Sequence, residues 1–262
     1  MSIILKTETQ IGYIRSSSLL VSKTLAEVGK HIQPGVSTLK LDQIAETFIR
    51  DNGGIPAFKN YGGSKGTNPF PFTLCISLNE EVVHGMPSDT KVLNEGDIVS
   101  VDCGVLMNGF YGDSAYTFPV GNVDASLTQL MKVTKESLYK GIEKAVAGNR
   151  MGDVSFAVES HVSQHGFTVV HEMVGHGLGE NLHEPPEVPN YGKKGQGVLL
   201  KEGMVLAIEP MINLGKRHIR LAKDGWTIYA ADHKASAHYE HTIVVRKHTA
   251  EILSSFDPIE LL

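Results

Sequence analysis

The sequence predicts an α+β fold in which one helix–helix–sheet unit is used twice. Four amphipathic stretches fall into two pairs, and each pair is followed by runs dense in Val and Ile. A phrase also recurs. Leu93-Asn-Glu-Gly-Asp-Ile-Val-Ser-Val-Asp102 and Leu200-Lys-Glu-Gly-Met-Val-Leu-Ala-Ile-Glu209 each lead a Leu-x-Glu-Gly turn into an apolar strand ending on a carboxylate. The short helices echo one another, Ile44-Ala-Glu-Thr-Phe-Ile49 against Ala157-Val-Glu-Ser-His-Val162. Chance likeness of two strand openings is the plainer explanation, but helix order, glycine stops and strand phrase all agree on a duplication.

The first helix carries Ile11, Ile14, Val21, Leu25, Val28 and Ile32 at three- and four-residue steps, with Thr9 as N-cap and Gly35 past its end. The second spans about 38–50, with Leu41, Ile44, Ala45, Phe48 and Ile49 on one face and Gly53-Gly54 closing it. Leu127, Met131, Leu138 and Ile142 mark a long third helix ending near Gly148. Val154, Ala157, Val158 and Val162 mark a fourth ended by Gly166. Asp97–Cys103, Val205–Ile208 and Thr242–Val245 read as strands, and Leu106-Met-Asn-Gly109 as a hairpin. No Pro-, Gly- or Ser-rich linker separates the halves, about 1–121 and 122–262. A single two-lobed domain around one continuous antiparallel sheet is therefore expected over 1–262. The stretches Tyr61–Asn68 and Tyr191–Gly197 are expected to be mobile surface loops.

The chain has 262 residues, 24 basic against 29 acidic side chains, and 41% hydrophobic residues, enough for a sizeable core. A formal charge of -5 with no basic stripe argues against nucleic acid as a partner. No run of apolar residues is long enough for a membrane span, and the first ten residues lack the pattern of a signal peptide. Two cysteines, Cys75 and Cys103, exclude a disulfide framework and fit a reducing compartment, so a cytoplasmic location is expected. Of 12 histidines, all but His31 and His84 fall after residue 160.

The chemistry lies in carboxylates at the ends of apolar strands. Asp102 follows Ile98-Val-Ser-Val101 and Glu209 follows Val205-Leu-Ala-Ile208, where a buried carboxylate is costly unless paired, protonated or bound to a cation. Asp113 returns across the hairpin opposite Asp102, and Glu240 precedes another strand. Singly, such residues are ordinary turn formers or solvated surface groups. Four of them converging on one sheet call for metal ions. His176, in Gly175-His-Gly177-Leu-Gly179, supplies an imidazole, and its flanking glycines leave room for something large against the backbone. One His and four acids suffice for two divalent ions, with Mn²⁺ or Fe²⁺ favoured and Zn²⁺ or Co²⁺ also accommodated.

In Cys75-Ile-Ser-Leu-Asn-Glu-Glu-Val-Val-His-Gly-Met-Pro87, Tyr111-Gly-Asp-Ser114, Gly175-His-Gly-Leu-Gly179, His183-Glu-Pro-Pro186, Ile208-Glu-Pro-Met211, Asp224-Gly-Trp226 and Tyr239-Glu-His-Thr-Ile-Val244 the chain resembles the type I methionine aminopeptidases over nearly its whole length. These are metallopeptidases of the pita-bread fold. The resemblance implies Asp113, His176, Glu209 and Glu240 on one ion and Asp102, Asp113 and Glu240 on the other. It implies Glu209 as proton shuttle, His183 as donor to the scissile carbonyl, and His84 as the contact of the second residue's backbone nitrogen. Tyr61, Phe70, Cys75 and Trp226 fall where the family has its methionine pocket. Phe58 and Leu182 depart from the pattern: many bacterial members carry a Cys at the first and an aromatic residue at the second, so the two changes compensate in volume. The segment Gly62–Asn68 is longer than in the common bacterial form. His171 and His241 sit beside motif residues, as supports of the site or as packing groups.

The resemblance further implies substrates that are peptides and nascent chains with N-terminal methionine, a transient ribosome encounter by analogy, and a monomer. His176 and Glu209 lie 33 positions apart, which leaves no room for the helical insertion of type II enzymes. Two alternatives remain, an X-Pro dipeptidase-like peptidase of the same fold and a non-catalytic peptide-binding module.

Overall fold

A computed structural model describes residues 3–62 and 68–262. In chain order the elements are α1 (Glu8–Gly29), α2 (Thr38–Asp51), β1 (Ile55–Pro56), β2 (Leu74–Leu78), β3 (Glu81–Val83), β4 (Ile98–Met107), β5 (Phe110–Pro119), α3 (Ala125–Ile142), α4 (Met151–Gln164), β6 (Thr168–Val169), β7 (Gly175–Gly177) and β8 (Glu184–Val188). There follow β9 (Val205–Ile208), β10 (Met211–Asn213), β11 (Ile219–Leu221), β12 (Ile228–Ala230), β13 (Ser236–His238), β14 (His241–Val244), β15 (Glu251–Ile252) and α5 (Asp257–Glu260). This is the mixed, antiparallel α+β architecture expected, with two long helix pairs.

The helix ends differ from expectation for local reasons. Thr7, not Thr9, caps α1: its hydroxyl accepts from the Gln10 amide at 3.3 Å, and the Gln10 side chain accepts from the Thr7 amide at 2.9 Å. Thr7-x-x-Gln10 is a capping box, which Thr9 cannot make with Gly12 three residues on. The helix stops at Gly29, so Ile32 and Gly35 lie in the connection beyond it, and α3 stops at Ile142, short of Gly148. The loop 191–197 is not free. Glu159 and Asp153 of α4 accept from the amides of Gly192 and Gly195 at 3.1 and 2.9 Å. Of the glycine-rich loop, 63–67 lie outside the described residues.

The expected continuous sheet is instead four hydrogen-bonded ladders among the described residues: β1-β4-β2 with β5 on β4, β13-β10-β6, β11-β12-β3, and β15-β14-β9-β7-β8. The halves share a backbone ladder at β3–β12, but between β5 and the β13–β14 segment serine and threonine hydroxyls take over from the backbone. Thr242 Oγ1 accepts from the Asp113 amide and donates to its carbonyl, at 3.2 and 2.7 Å. Ser114 Oγ donates to the Glu240 carbonyl at 2.6 Å, and Thr117 Oγ1 bonds both backbone groups of the 238 position. One backbone bond, Glu240 N to Ala115 O at 2.9 Å, completes the seam. A single apolar cluster runs beneath it, from Leu20 and Leu25 through Val99 and Val101 to Ile208 and Ile243. Helix α1 lies directly on β5 because Gly112 has no side chain: a Cβ there would stand 2.3 Å from the Ser18 nitrogen.

Helix α2 buries a charge that the apolar pattern did not announce. Asp42 Oδ1 accepts from the amides of Thr73 and Leu74 at 2.9 and 2.8 Å, pinning the start of β2. Burial outweighs these donors and lifts its pKa from 3.8 to about 6. The folded state thus holds the proton more tightly than the unfolded chain, so this group's contribution to stability declines as pH rises from about 4 to 6. Asp42→Asn keeps the acceptor and removes the charge. We expect it to be more stable than the parent at pH 7.5, by at most about 3 kcal/mol, with the difference vanishing below pH 4. Thermal unfolding at both pH values checks this; a pH-independent difference refutes it.

Candidate metal centre and substrate pocket

Two strands of each half deliver the carboxylates. Asp102 is not at a strand end: β4 runs on past it to Met107. Asp113 faces Gly104, while Asp102 faces Ala115, so the two acids are diagonal neighbours on one face. The small residues opposite each of them keep that face open. Glu209 does end β9, and the Asn190 side chain holds its carbonyl at 2.9 Å. Glu240 sits between β13 and β14, on the far side of the hydroxyl seam from Asp113.

His176 comes from β7. The room beside its glycines is taken by backbone, not by a ligand: a Cβ on Gly175 would meet Ala207 O at 2.3 Å, and one on Gly177 would meet Pro185 O at 2.5 Å. The glycines thus let β7 sit tightly between β9 and β8. The His176 Nδ1–H donates to the Gly177 carbonyl at 2.9 Å, and burial drops the ring's pKa to about 3. Neutral, with Nδ1 committed, the ring turns the Nε2 lone pair toward Glu209 Oε1 at 3.6 Å and Asp113 Oδ2 at 4.0 Å.

Acceptors therefore face acceptors. Donor atoms of Asp113, His176 and Glu240 lie within 4.8 Å of one another. Asp102 Oδ1, Asp113 Oδ1 and Glu240 Oε1 are buried without any hydrogen-bond partner. Burial, reinforced by neighbouring carboxylates, raises Asp102 to about 7 and Asp113 and Glu240 well above the carboxylate range; burial raises Glu209 to about 8. Orphaned buried oxygens around a lone pair are what a divalent cation relieves, and this donor set fits one.

A cavity of about 130 Å³ opens above these groups, and the expected ligands, catalytic histidines and pocket residues all line it: Phe58, Tyr61, Phe70, Cys75, His84, Asp102, Asp113, His176, Leu182, His183, Glu209, Trp226 and Glu240. Phe58, Phe70, Cys75 and Leu182 form one buried apolar cluster, with Trp226 edge-on to Phe70 at 5.3 Å. Phe58 fits because residue 104 is Gly, where a Cβ would stand 2.6 Å from its ring. The Cys75 thiol is pushed far up by burial and by Asp102, so it acts as apolar wall. The His183 ring lies tilted against His176 with centroids 4.2 Å apart, and its Nδ1 is hydrogen-bonded to the Tyr61 hydroxyl. His84 holds a left-handed backbone (φ 58°), and burial drops its ring to about 4.

His238 was missed. It is buried with Nε2 3.6 Å from Glu209 Oε2 and no hydrogen-bond partner at that nitrogen. The signal was present: a position two before Glu240 on an extended run shares its face. His241 turns away, bonded to Ser254 and stacked on Phe256, and His171 stacks on Tyr191.

A family model, that of metallopeptidase family M24, matches residues 12–247. The chain belongs to metallopeptidase family M24. It is 47% identical over 252 residues to a methionine aminopeptidase of Clostridium acetobutylicum, covering 96% of this chain and 98% of that one. The crystal structure of methionine aminopeptidase from Rickettsia prowazekii superposes with TM-score 0.93 at 39% identity, over 97% and 100% of the two chains. A prolidase from Pyrococcus horikoshii shares the fold alone, at TM-score 0.76 and 22% identity, with 97% of this chain on 64% of that one. The fold is thus the pita-bread fold of this family, and metal use is a family property.

The turn carrying Leu182 and His183 is anchored from the N-terminal segment. Lys6 Nζ meets Glu184 Oε2 at 2.6 Å with both side chains buried, while Glu184 Oε1 accepts from the Asn181 amide at 3.1 Å. Removing one partner strands the other charge. Lys6→Met is expected to cost about 3–5 kcal/mol, and Lys6→Met/Glu184→Gln distinctly less, in urea unfolding. Equal losses refute the pairing.

Proposed function

We propose that this protein hydrolyses the first peptide bond behind an N-terminal methionine, in peptides and nascent chains. The observation that carries the reading is the junction of two environments: partnerless carboxylates around a neutral imidazole at the floor of an apolar-walled pocket. An unbranched thioether side chain satisfies such a pocket by dispersion and asks for no hydrogen bond. The naming of the relatives points the same way. In this reading 1–262 work as one domain, since the apolar cluster crosses from one half to the other.

Asp102, Asp113, His176, Glu209 and Glu240 would hold two divalent ions; Co, Mn, Fe and Zn all suit the donor set. When bound, such ions activate a water as nucleophile and polarise the scissile carbonyl. Glu209 would take a proton from the attacking water and pass it to the leaving amine. With the Tyr61 hydroxyl donating to His183 Nδ1, the ring would carry its proton on Nε2, and that N–H would support the carbonyl oxygen as charge develops on it. His84, neutral, accepts from the backbone N–H of the second residue. Phe58 and Leu182 keep the pocket's apolar volume by exchanging bulk between walls.

The unpaired cysteines Cys75 and Cys103 support a cytoplasmic location, and no helix of the described residues is long and apolar enough to cross a membrane. A monomer that meets the ribosome transiently fits this reading by analogy.

Hydrolysis of Met-Ala-Ser beside an Ala-Pro peptide tests the reaction. Methionine release is expected, lost on chelation and restored by divalent metal; equal or faster Ala-Pro cleavage favours the dipeptidase reading and overturns ours. Glu209→Gln is expected to lower kcat by at least about 100-fold with pocket binding retained, and near-normal turnover refutes the shuttle.

A further inference from the structure

A second group of metal-ligating side chains lies outside the pocket, on the outer helix pair. His161 lies in the last turn of α4 and His165 is the residue that caps it, four positions on, and the two rings lie side by side. Their centroids are 4.7 Å apart. Glu136 reaches them from α3, with Oε2 3.0 Å from His161 Nε2. One donor atom from each of the three lies within 4.8 Å of the other two. Two ligands of a tetrahedral ion at 2.0–2.1 Å stand about 3.4 Å apart, so small side-chain rotations close this triangle. The tautomer of His165 is already set. Its Nδ1–H donates to the His161 carbonyl at 2.9 Å, which leaves the Nε2 lone pair for a ligand.

We infer that Glu136, His161 and His165 form a solvent-facing site for a borderline divalent ion such as Zn²⁺, Ni²⁺ or Co²⁺, separate from the centre under the pocket. Two imidazoles and one carboxylate are the donor set such ions prefer over Mg²⁺ or Ca²⁺. Water completes the coordination, because His165 is exposed. Lys132 is the competing cation. It stands 3.9 Å from the other oxygen of Glu136 on an exposed surface, too loosely held to displace a divalent ion. The ion would tie α3 to the C-terminal end of α4, since the carboxylate comes from one helix and the imidazoles from the last turn and cap of the other. This inference does not depend on the reaction proposed above.

The test is metal stoichiometry of the full chain. Chelator-stripped protein is titrated with Ni²⁺ and, separately, Zn²⁺ in a calorimeter, alongside His165→Ala and Glu136→Gln. The parent is expected to bind one equivalent more than His165→Ala, with peptidase activity on added metal the same in both. Glu136→Gln is expected to keep the equivalent at about tenfold weaker affinity. At 100 times the dissociation constant, Ni²⁺ is expected to raise the melting temperature of the parent by about 5 °C more than that of His165→Ala. Equal stoichiometry and equal thermal shift in parent and His165→Ala would show that the three side chains form only a surface ion pair, and would overturn the site.

Discussion

Buried carboxyl groups without a partner, brought together across the joint between the two halves, are the constraint on which this structure turns. Asp113 and Glu240 belong to opposite edges of the seam, and Asp102 is held beside Asp113 by the β4–β5 register. None of these positions can relax, because each sits on backbone fixed by pairing or by a seam hydroxyl. Desolvation and mutual repulsion then act on all of them at once. His176 sharpens the problem instead of easing it, as its carbonyl-bound Nδ1 commits Nε2 to acceptor character. Backbone geometry has been set for a cation, and the local electrostatics follow from that.

The pocket depends on the same constraint. Its floor is polar and under tension, whereas its walls of Phe58, Phe70, Cys75 and Leu182 are packed and unreactive. Between the two lies a ring of neutral imidazoles. His84, His176, His183 and His238 all lose affinity for a proton through burial. Had they been charged they would pair with the carboxylates directly and compete with a metal. Desolvation thus separates roles that residue type alone leaves open.

Much of this was legible in the sequence because its causes are local. Helix spacing follows apolar periodicity, and the repeated Leu-x-Glu-Gly phrase marks a turn whose glycine has positive φ in both copies, 90° at Gly96 and 85° at Gly203. Asp102 and Glu209 stood out as carboxylates closing apolar runs, and His176 by its flanking glycines. What escaped depended on partners distant in the chain. Thr242 is an unremarkable strand threonine until Asp113 arrives beside it, and Asp42 is an ordinary helix residue until the amides of Thr73 and Leu74 close on it. Gly175 and Gly177 suggested space for a ligand, although the space belongs to neighbouring strands.

The sequence by itself determined the fold class, the order and pairing of helices, the family resemblance and the residue types available for chemistry, because periodicity, turn propensity and motif are properties of short segments. Only the tertiary structure decided that the sheet breaks at a hydroxyl-bridged seam, that Asp113 faces Gly104, that His238 joins the site while His241 leaves it, and that an outer histidine pair meets Glu136. Each of those outcomes depends on register or on packing between segments far apart in the chain. A one-residue slip would reverse the face a strand residue presents, and no local pattern sets that register alone.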